Sequence, residues 1–189
     1  HSSGVPRVRQ AIADYVARRD GFPASPDDVF MTDGASAAIR YILNVIISDK
    51  SHGVMIPVPQ YPLYCAAITQ LGGVPVQYHL DESRGWAVDV ASVRKQFDEA
   101  TQAGVVVKAI VVINPGNPTG HVLDRKNMEE IVQLCYDKGI CLMADEVYQD
   151  NIYGATPFVS FRKVLLEMPP AVAQTVELVS FLSASKGYY

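Results

Sequence analysis

Residues 114–120 read Asn-Pro-Gly-Asn-Pro-Thr-Gly and follow directly on the apolar run 108–113. At ~5% per position, seven specified residues in a row come to roughly one in 10⁹ per start point, so the segment has a task. A run of Ala, Ile and Val that ends in Asn-Pro reads as a buried strand stopping at a sharp turn. Ligands of open α/β sheets sit just beyond the carboxyl ends of strands. Here the turn offers the amide of Asn117, held between Pro115 and Pro118, with two glycines that let a ligand approach closely. A Pro/Gly turn without a ligand is the simpler alternative for this segment alone. Two further apolar runs end in groups that can do chemistry. Residues 140–144 lead into Asp145-Glu146-Val147-Tyr148, and residues 177–181 lead into Ser183-Ala184-Ser185-Lys186-Gly187. Three strand ends therefore deliver an amide, a carboxylate with a phenol, and a primary amine between hydroxyls. Taken alone, an acidic pair after a strand reads as a solvated strand end.

The elements that must position these groups alternate between the two hydrophobic periods. Residues 5–19 place Val8, Ile12, Tyr15 and Val16 on one helical face. Strands are expected at 29–32, 54–56, 74–79, 109–113, 140–144 and 176–181. Helices are expected at 37–47, at 61–71 (ended by Gly72-Gly73), at 90–100 with Asp89 as cap, at 125–137 and at 161–167. Such alternation predicts an α/β fold: a mostly parallel sheet with helices on both faces. No internal repeat, linker or low-complexity segment interrupts it.

Taken in order, with a helix-sized insert between each pair, the three strand ends resemble the pyridoxal 5′-phosphate (PLP) enzymes of the aspartate aminotransferase superfamily, fold type I. The resemblance covers essentially the whole chain and implies a role for each group. Lys186 matches the family's Schiff-base lysine, the catalytic amine. Asp145 matches the carboxylate beside the pyridine nitrogen, where an ion pair keeps the ring an electron sink. Asn117 and Tyr148 match the donors to the phenolic oxygen, and Tyr61 matches the aromatic ring stacked on the cofactor. Gly34-Ala35-Ser36, between the strand-like 29–32 and the helical 37–47, matches the phosphate cradle, where free N–H groups and the helix dipole favour a dianion. Ser36 and Ser183 add hydroxyl donors. Read alone, Ser36 is an ordinary helix N-cap, and both roles can hold at once. The resemblance also implies a cis Asn117–Pro118 peptide.

Within the superfamily the chain is most similar to alanine aminotransferases. The similarity rests on Ile56-Pro57-Val58-Pro59-Gln60-Tyr61-Pro62-Leu63-Tyr64, Tyr78-His79-Leu80-Asp81-Glu82 with Trp86, the inserted Gly116, and Ala144-Asp145-Glu146-Val147-Tyr148-Gln149-Asp150-Asn151. Leu182 departs from the pattern, standing where a His is expected. The implied reaction exchanges the amino group between L-alanine and 2-oxoglutarate, giving pyruvate and L-glutamate. A glutamate–glyoxylate aminotransferase shares these segments. A non-transaminating PLP enzyme such as a lyase or cyclopropane-carboxylate synthase, and a PLP-fold regulatory domain, are the remaining alternatives; no basic winged-helix segment precedes the fold. By resemblance, residues 1–189 are a piece of the PLP-binding large domain. One antiparallel strand, the C-terminal small domain, the substrate-carboxylate arginine and a basic phosphate ligand lie outside it. The piece alone is expected to be inactive, and the whole enzyme a homodimer. The opening His1-Ser2-Ser3-Gly4 is read as native sequence running into the first helix rather than as a tag remnant.

Composition agrees. The 189 residues are 49% hydrophobic and 19% charged, with a net charge of −4, which suits a globular domain and gives no reason to expect nucleic-acid or membrane partners. No apolar run approaches the ~20 residues that span a bilayer. Cys65, Cys135 and Cys141 have no C-x-x-C spacing, so buried thiols in a reducing compartment, cytoplasmic or mitochondrial, are expected. His1, His52, His79 and His121 form no metal-ligand pattern, and His79 reads as a surface residue.

Overall fold

The computed structural model describes residues 3–187; the expectation that His1 and Ser2 are native sequence lies outside these residues. Six strands form one sheet: β1 (His52–Val58), β2 (Val74–Asp81), β3 (Ala87–Val88), β4 (Val106–Ile113), β5 (Cys141–Asp145) and β6 (Leu178–Phe181). Their order is β3-β2-β1-β4-β5-β6, parallel throughout except for the two-residue edge strand β3, which runs antiparallel to β2. Among the described residues eight α-helices accompany them: α1 (Pro6–Asp20), α2 (Ala35–Ile46), α3 (Leu63–Gln70), α4 (Val90–Gln102), α5 (Arg125–Lys138), α6 (Phe161–Glu167) and the single turns α7 (Pro170–Ala173) and α8 (Ala184–Gly187).

The central strands are apolar on both sides, as a sheet covered by helices on both faces requires. On one face Met55, Ile110, Val112, Leu142 and Ala144 pack with Val93 of α4, Met128 and Ile131 of α5, and Phe161 and Val164 of α6. On the other, Val54, Ile56, Ala109, Val111 and Met143 pack with Ile39 and Leu43 of α2 and Tyr64 and Ile68 of α3. Residues that alternate along each strand thus enter opposite cores. Tyr78 is fully buried, and its hydroxyl donates to Val111 O at 2.8 Å.

The elements start and stop for local reasons. The Asp89 side chain caps α4 by accepting from Ala91 N, and Asp124 caps α5 by accepting from Asn127 N. Gly72, with φ 78°, ends α3, as expected from the Gly72-Gly73 pair. His79 is exposed, and all three cysteines are free thiols, of which only Cys135 is fully buried. The Asn117–Pro118 peptide is cis, as are Asn114–Pro115 and Val58–Pro59.

Several expectations are corrected. Residues 29–32 are not a strand. Val29 is extended (φ −101°, ψ 120°), but a strand needs a ladder partner. The segment's backbone bond runs instead from Met31 N to Ser3 O, at 3.0 Å. Helix α2 begins two residues earlier than expected, and its N-cap is Gly34, which makes no side-chain cap bond; Ser36 lies inside the first turn and is not the cap. Tyr61 precedes α3 rather than opening it. On α1 the buried stripe is Arg9, Ala13, Val16 and Asp20, with Val8, Ile12 and Tyr15 beside it. Two charges can occupy that stripe because both are paired. Arg9 donates to Pro26 O and Val29 O, and Asp20 accepts from Arg19, Ser160 and Arg162. Among the described residues no helix is long and apolar enough to cross a membrane, and no group of His, Cys, Asp or Glu is placed to hold a metal ion.

Candidate active site

The register of the sheet brings the chemically capable strand ends together. Ile113 of β4 pairs with Asp145 of β5, which pairs with Phe181 of β6. The chain leaves all three strands at one level, so the 114–120 turn, the 145–151 turn and the 182–187 segment stand side by side. Strand order reverses between β1 and β4, the position at which open α/β sheets leave a crevice.

A cavity of about 270 Å³ opens there. Gly34, Ala35, Ser36, Tyr61, Asn117, Asp145, Tyr148, Ser183 and Lys186 all line it, and Ile39, Leu63, Ile113, Val147 and Ser185 complete the wall. All nine residues singled out in the sequence therefore share one space. The last five carry no chemical signal of their own in the sequence: four are ordinary apolar residues and one is a serine among serines.

Asp145 ends β5 and is 6% exposed. Burial pushes its carboxyl above the usual range, while donation from the Tyr64 hydroxyl to Oδ2 at 2.7 Å and from Val147 N to Oδ1 at 3.4 Å pulls the other way. Tyr64, itself fully buried, is held well above the ordinary phenol range by burial and then by the Asp145 charge, so it remains a donor. Oδ1 has only the long Val147 contact, which leaves Asp145 able to face a cationic N–H. Across the cavity Asn117 Nδ2 lies 3.4 Å from Tyr148 OH, and the Lys186 amine sits 5.6 Å from the centre of the Tyr148 ring. At the opening, Tyr61 is 49% exposed, with its ring free to cover a ligand.

The fourth wall is the amino end of α2. The first helical bonds run from Ala37 N and Ala38 N to Gly34 O, so the N–H groups of Ala35 and Ser36 precede the helical ladder. Gly34 has φ 81°, a conformation that favours glycine, and a Cβ there would meet nothing within 4 Å. The Ser36 hydroxyl, not engaged as a cap, is left for a ligand, and the Ser183 hydroxyl accepts from Ser185 N at 3.2 Å.

An amine, a buried carboxylate with spare acceptor capacity, an amide–phenol pair and an uncapped helix amino end are the donor set that a phosphorylated pyridine aldehyde requires, and the residues fit PLP. Trp86, which carries part of the subfamily resemblance, is not in this wall. It adopts φ 70° and lines a small neighbouring cavity, to which His121 and Asn117 also contribute.

Residues 1–188 match the family described as aminotransferase class I and II, and the chain belongs to that family. Among named relatives, it is 49% identical over 189 residues to glutamate–glyoxylate aminotransferase 1 of Arabidopsis thaliana, covering all of this chain and 39% of that protein. It is 47% identical over 190 residues to the mitochondrial alanine aminotransferase 1 of the same plant, covering all of this chain and 35% of that protein. Among solved structures, an alanine aminotransferase from Pyrococcus furiosus superposes with a TM-score of 0.83 at 30% identity, over 97% of this chain and 43% of that one. The chain thus spans less than half the length of the relatives it matches.

Proposed function

We propose that the chain is the PLP-binding large-domain part of an aminotransferase that moves the amino group between L-alanine and 2-oxoglutarate, giving pyruvate and L-glutamate. The observation that carries the reading is the single cavity lined by Lys186, Asp145, Asn117, Tyr148, Tyr61, Ser183 and the Gly34–Ser36 turn. Held there, PLP supplies an aldehyde that condenses with amines and a protonated ring that accepts the electrons of a substrate carbanion.

The chain's own residues do the rest. The Lys186 amine would hold the aldehyde carbon and, when free, would be the base that takes the proton from the substrate's Cα. Asp145 keeps a proton on the pyridine nitrogen, with Tyr64 fixing the other carboxylate oxygen. Asn117 and Tyr148 donate to the phenolic oxygen, and Tyr61 covers one ring face. The N–H groups of Ala35 and Ser36, with the Ser36 and Ser183 hydroxyls, hold the phosphate. Among the described residues of the cavity wall Lys186 is the only cation. The resemblance assigns the substrate carboxylate to an arginine that is not in this wall, and the chain alone is expected not to turn over. A homodimeric enzyme of the cytoplasm or mitochondrion, acting on small amino and 2-oxo acids, completes the reading. A glutamate–glyoxylate aminotransferase is the second reading, favoured by the 49% identity to a relative of that name.

Borohydride reduction of the PLP-loaded enzyme that carries this chain, followed by peptide mapping, is expected to label Lys186. A label at Lys50, Lys108 or Lys163 instead would overturn the assignment.

A further inference from the structure

Successive residues of a strand point to opposite sides, and the two carboxylates at the end of β5 follow that rule. Asp145 enters the cavity, whereas Glu146 enters the closed space against α6 and the end of α1. Glu146 is fully buried. Its Oε1 accepts from Phe161 N, the first residue of α6, at 2.7 Å, and its Oε2 has no partner among the described residues. The charged groups around it are Arg19 and Asp20 of α1, Asp145 of β5, and Arg162 of α6, which reaches Asp20. Arg19 chelates Asp20 and also donates to Gln149 Oε1 at 2.8 Å. Gln149 N in turn donates to Glu146 O at 3.1 Å, Asn151 N to Tyr148 O at 2.8 Å, and Glu146 N to Phe181 O at 3.0 Å. The turn that presents Asp145 and Tyr148 to the cavity is therefore fastened from behind, and Glu146 is its one side-chain tie to α6 in this network.

Burying a carboxylate with one oxygen unmet is costly. Burial raises the Glu146 carboxyl to about 7, with the field of Asp20 and Asp145 in the same direction and that of Arg19 and the Phe161 bond against it. A leucine or methionine would fill the space without that cost, so a carboxylate here points to a positional task.

We propose that Glu146 is a positioning residue: by accepting the first N–H of α6, it locks the 145–148 turn so that Asp145 and Tyr148 meet the cofactor as one rigid pair. The inference rests on the PLP reading above. Its test uses the enzyme that carries this chain and measures two things: equilibrium PLP binding, and the pH midpoint of the bound cofactor's absorption, which responds to how Tyr148 and Asp145 sit around the ring. Glu146→Ala is expected to bind PLP about tenfold more weakly, the loss of a buried hydrogen bond, with a displaced midpoint. Glu146→Gln keeps an acceptor for Phe161 N and is expected to restore binding to within about threefold, with the wild-type midpoint. Val164→Ala, a cavity in the buried face of the same helix, is expected to lower thermal stability and leave both readouts alone. Glu146→Met replaces the alanine variant if that one does not fold. Wild-type binding by the alanine or methionine variant would overturn the inference, as would a glutamine variant as weak as alanine, or an equal effect of Val164→Ala. Wild-type enzyme that takes up no PLP would instead overturn the underlying reading.

Discussion

Replacing Tyr64 with phenylalanine removes one oxygen atom from the interior and leaves the packing of α3 unchanged. That oxygen donates to Asp145 Oδ2 at 2.7 Å, with Tyr64 fully buried and Asp145 nearly so. A hydrogen bond to a charged group is worth about 1.5–3 kcal/mol, against about 0.5–1.5 for a neutral pair. The cost of the substitution therefore depends on whether Asp145 is ionised. Burial already raises the Asp145 carboxyl, and the Tyr64 bond pulls it down. The variant's carboxyl must lie higher still. The sign follows from linkage. A raised carboxyl contributes stability that is fully present below its unfolded value and lost as the pH rises through its folded value. Tyr64→Phe should deepen that loss and carry it to higher pH. Urea unfolding across pH 4 to 9 is expected to show a penalty of about 1 kcal/mol at the acid end, growing to about 2–3 at the alkaline end. PLP binding at neutral pH is expected to weaken in parallel, because Asp145 loses the donor that fixes its orientation toward the pyridine nitrogen. A penalty that stays constant across the pH range would show that the hydroxyl does not support the ionised carboxylate, and Tyr64 would revert to a core residue.

Two further outcomes follow from the cavity wall and from the turn that carries Lys186. Asp145→Ala is expected to cost several kcal/mol in single-turnover transition-state stabilisation, since it removes a buried charge and leaves the Tyr64 hydroxyl unpaired, whereas Asn117→Ala is expected to cost roughly 1–3 kcal/mol; equal rates for the two variants would contradict the charge-partner role. Gly187→Ala places a Cβ against the Asp150 carboxylate, 3.0 Å from its Cβ and closer still to Oδ2. Both residues are exposed, so the Asp150 carboxylate swings aside and PLP uptake in an absorption titration is expected to stay unchanged; weakened uptake would show that the Gly187–Asp150 contact fixes the turn that carries Lys186.

What was legible in the sequence was whatever short-range pattern determines. Apolar runs with abrupt polar ends gave five strands of the parallel sheet, three of those ends gave Asn117, Asp145, Tyr148, Ser183 and Lys186, and the family resemblance gave Tyr61 and Gly34–Ser36; together these are nine of the fourteen residues of the cavity wall. What was not legible depends on partners distant in sequence. Tyr64 sits in the apolar stretch Leu63–Gln70 and reads as core; its function comes from a carboxylate 81 positions away. Residues 29–32 look like a strand because Val-Phe-Met-Thr has the right propensities, but a strand also needs a neighbour, and Phe30 remains 74% exposed. The two residues of β3 are too short for any periodicity and exist because Leu80 and Asp81 lie opposite them. Glu146 is the sharpest case. As half of an acidic pair after a strand it reads as solvated, yet it is fully buried.

That pair also bears on how β5 finds its register. Where one face of a sheet meets water, a one-residue slip turns the apolar side outward and is rejected by the hydrophobic pattern alone. Strand β5 is buried on both faces from Leu142 onward, so apolar patterning discriminates weakly between the two settings. The pair itself does not discriminate by charge either, since Asp and Glu both carry a carboxylate. Reach and partners remain. Glu146, one methylene longer, spans to Phe161 N, and Asp145, shorter, meets the Tyr64 hydroxyl at 2.7 Å. Exchanging the two would leave a short carboxylate facing the α6 amide and a long one crowding the cavity. The same two hydrogen bonds that orient the candidate site thus also specify the strand setting that creates it. The rigidity of this corner and its chemistry therefore have a common origin in side chains rather than in the apolar core.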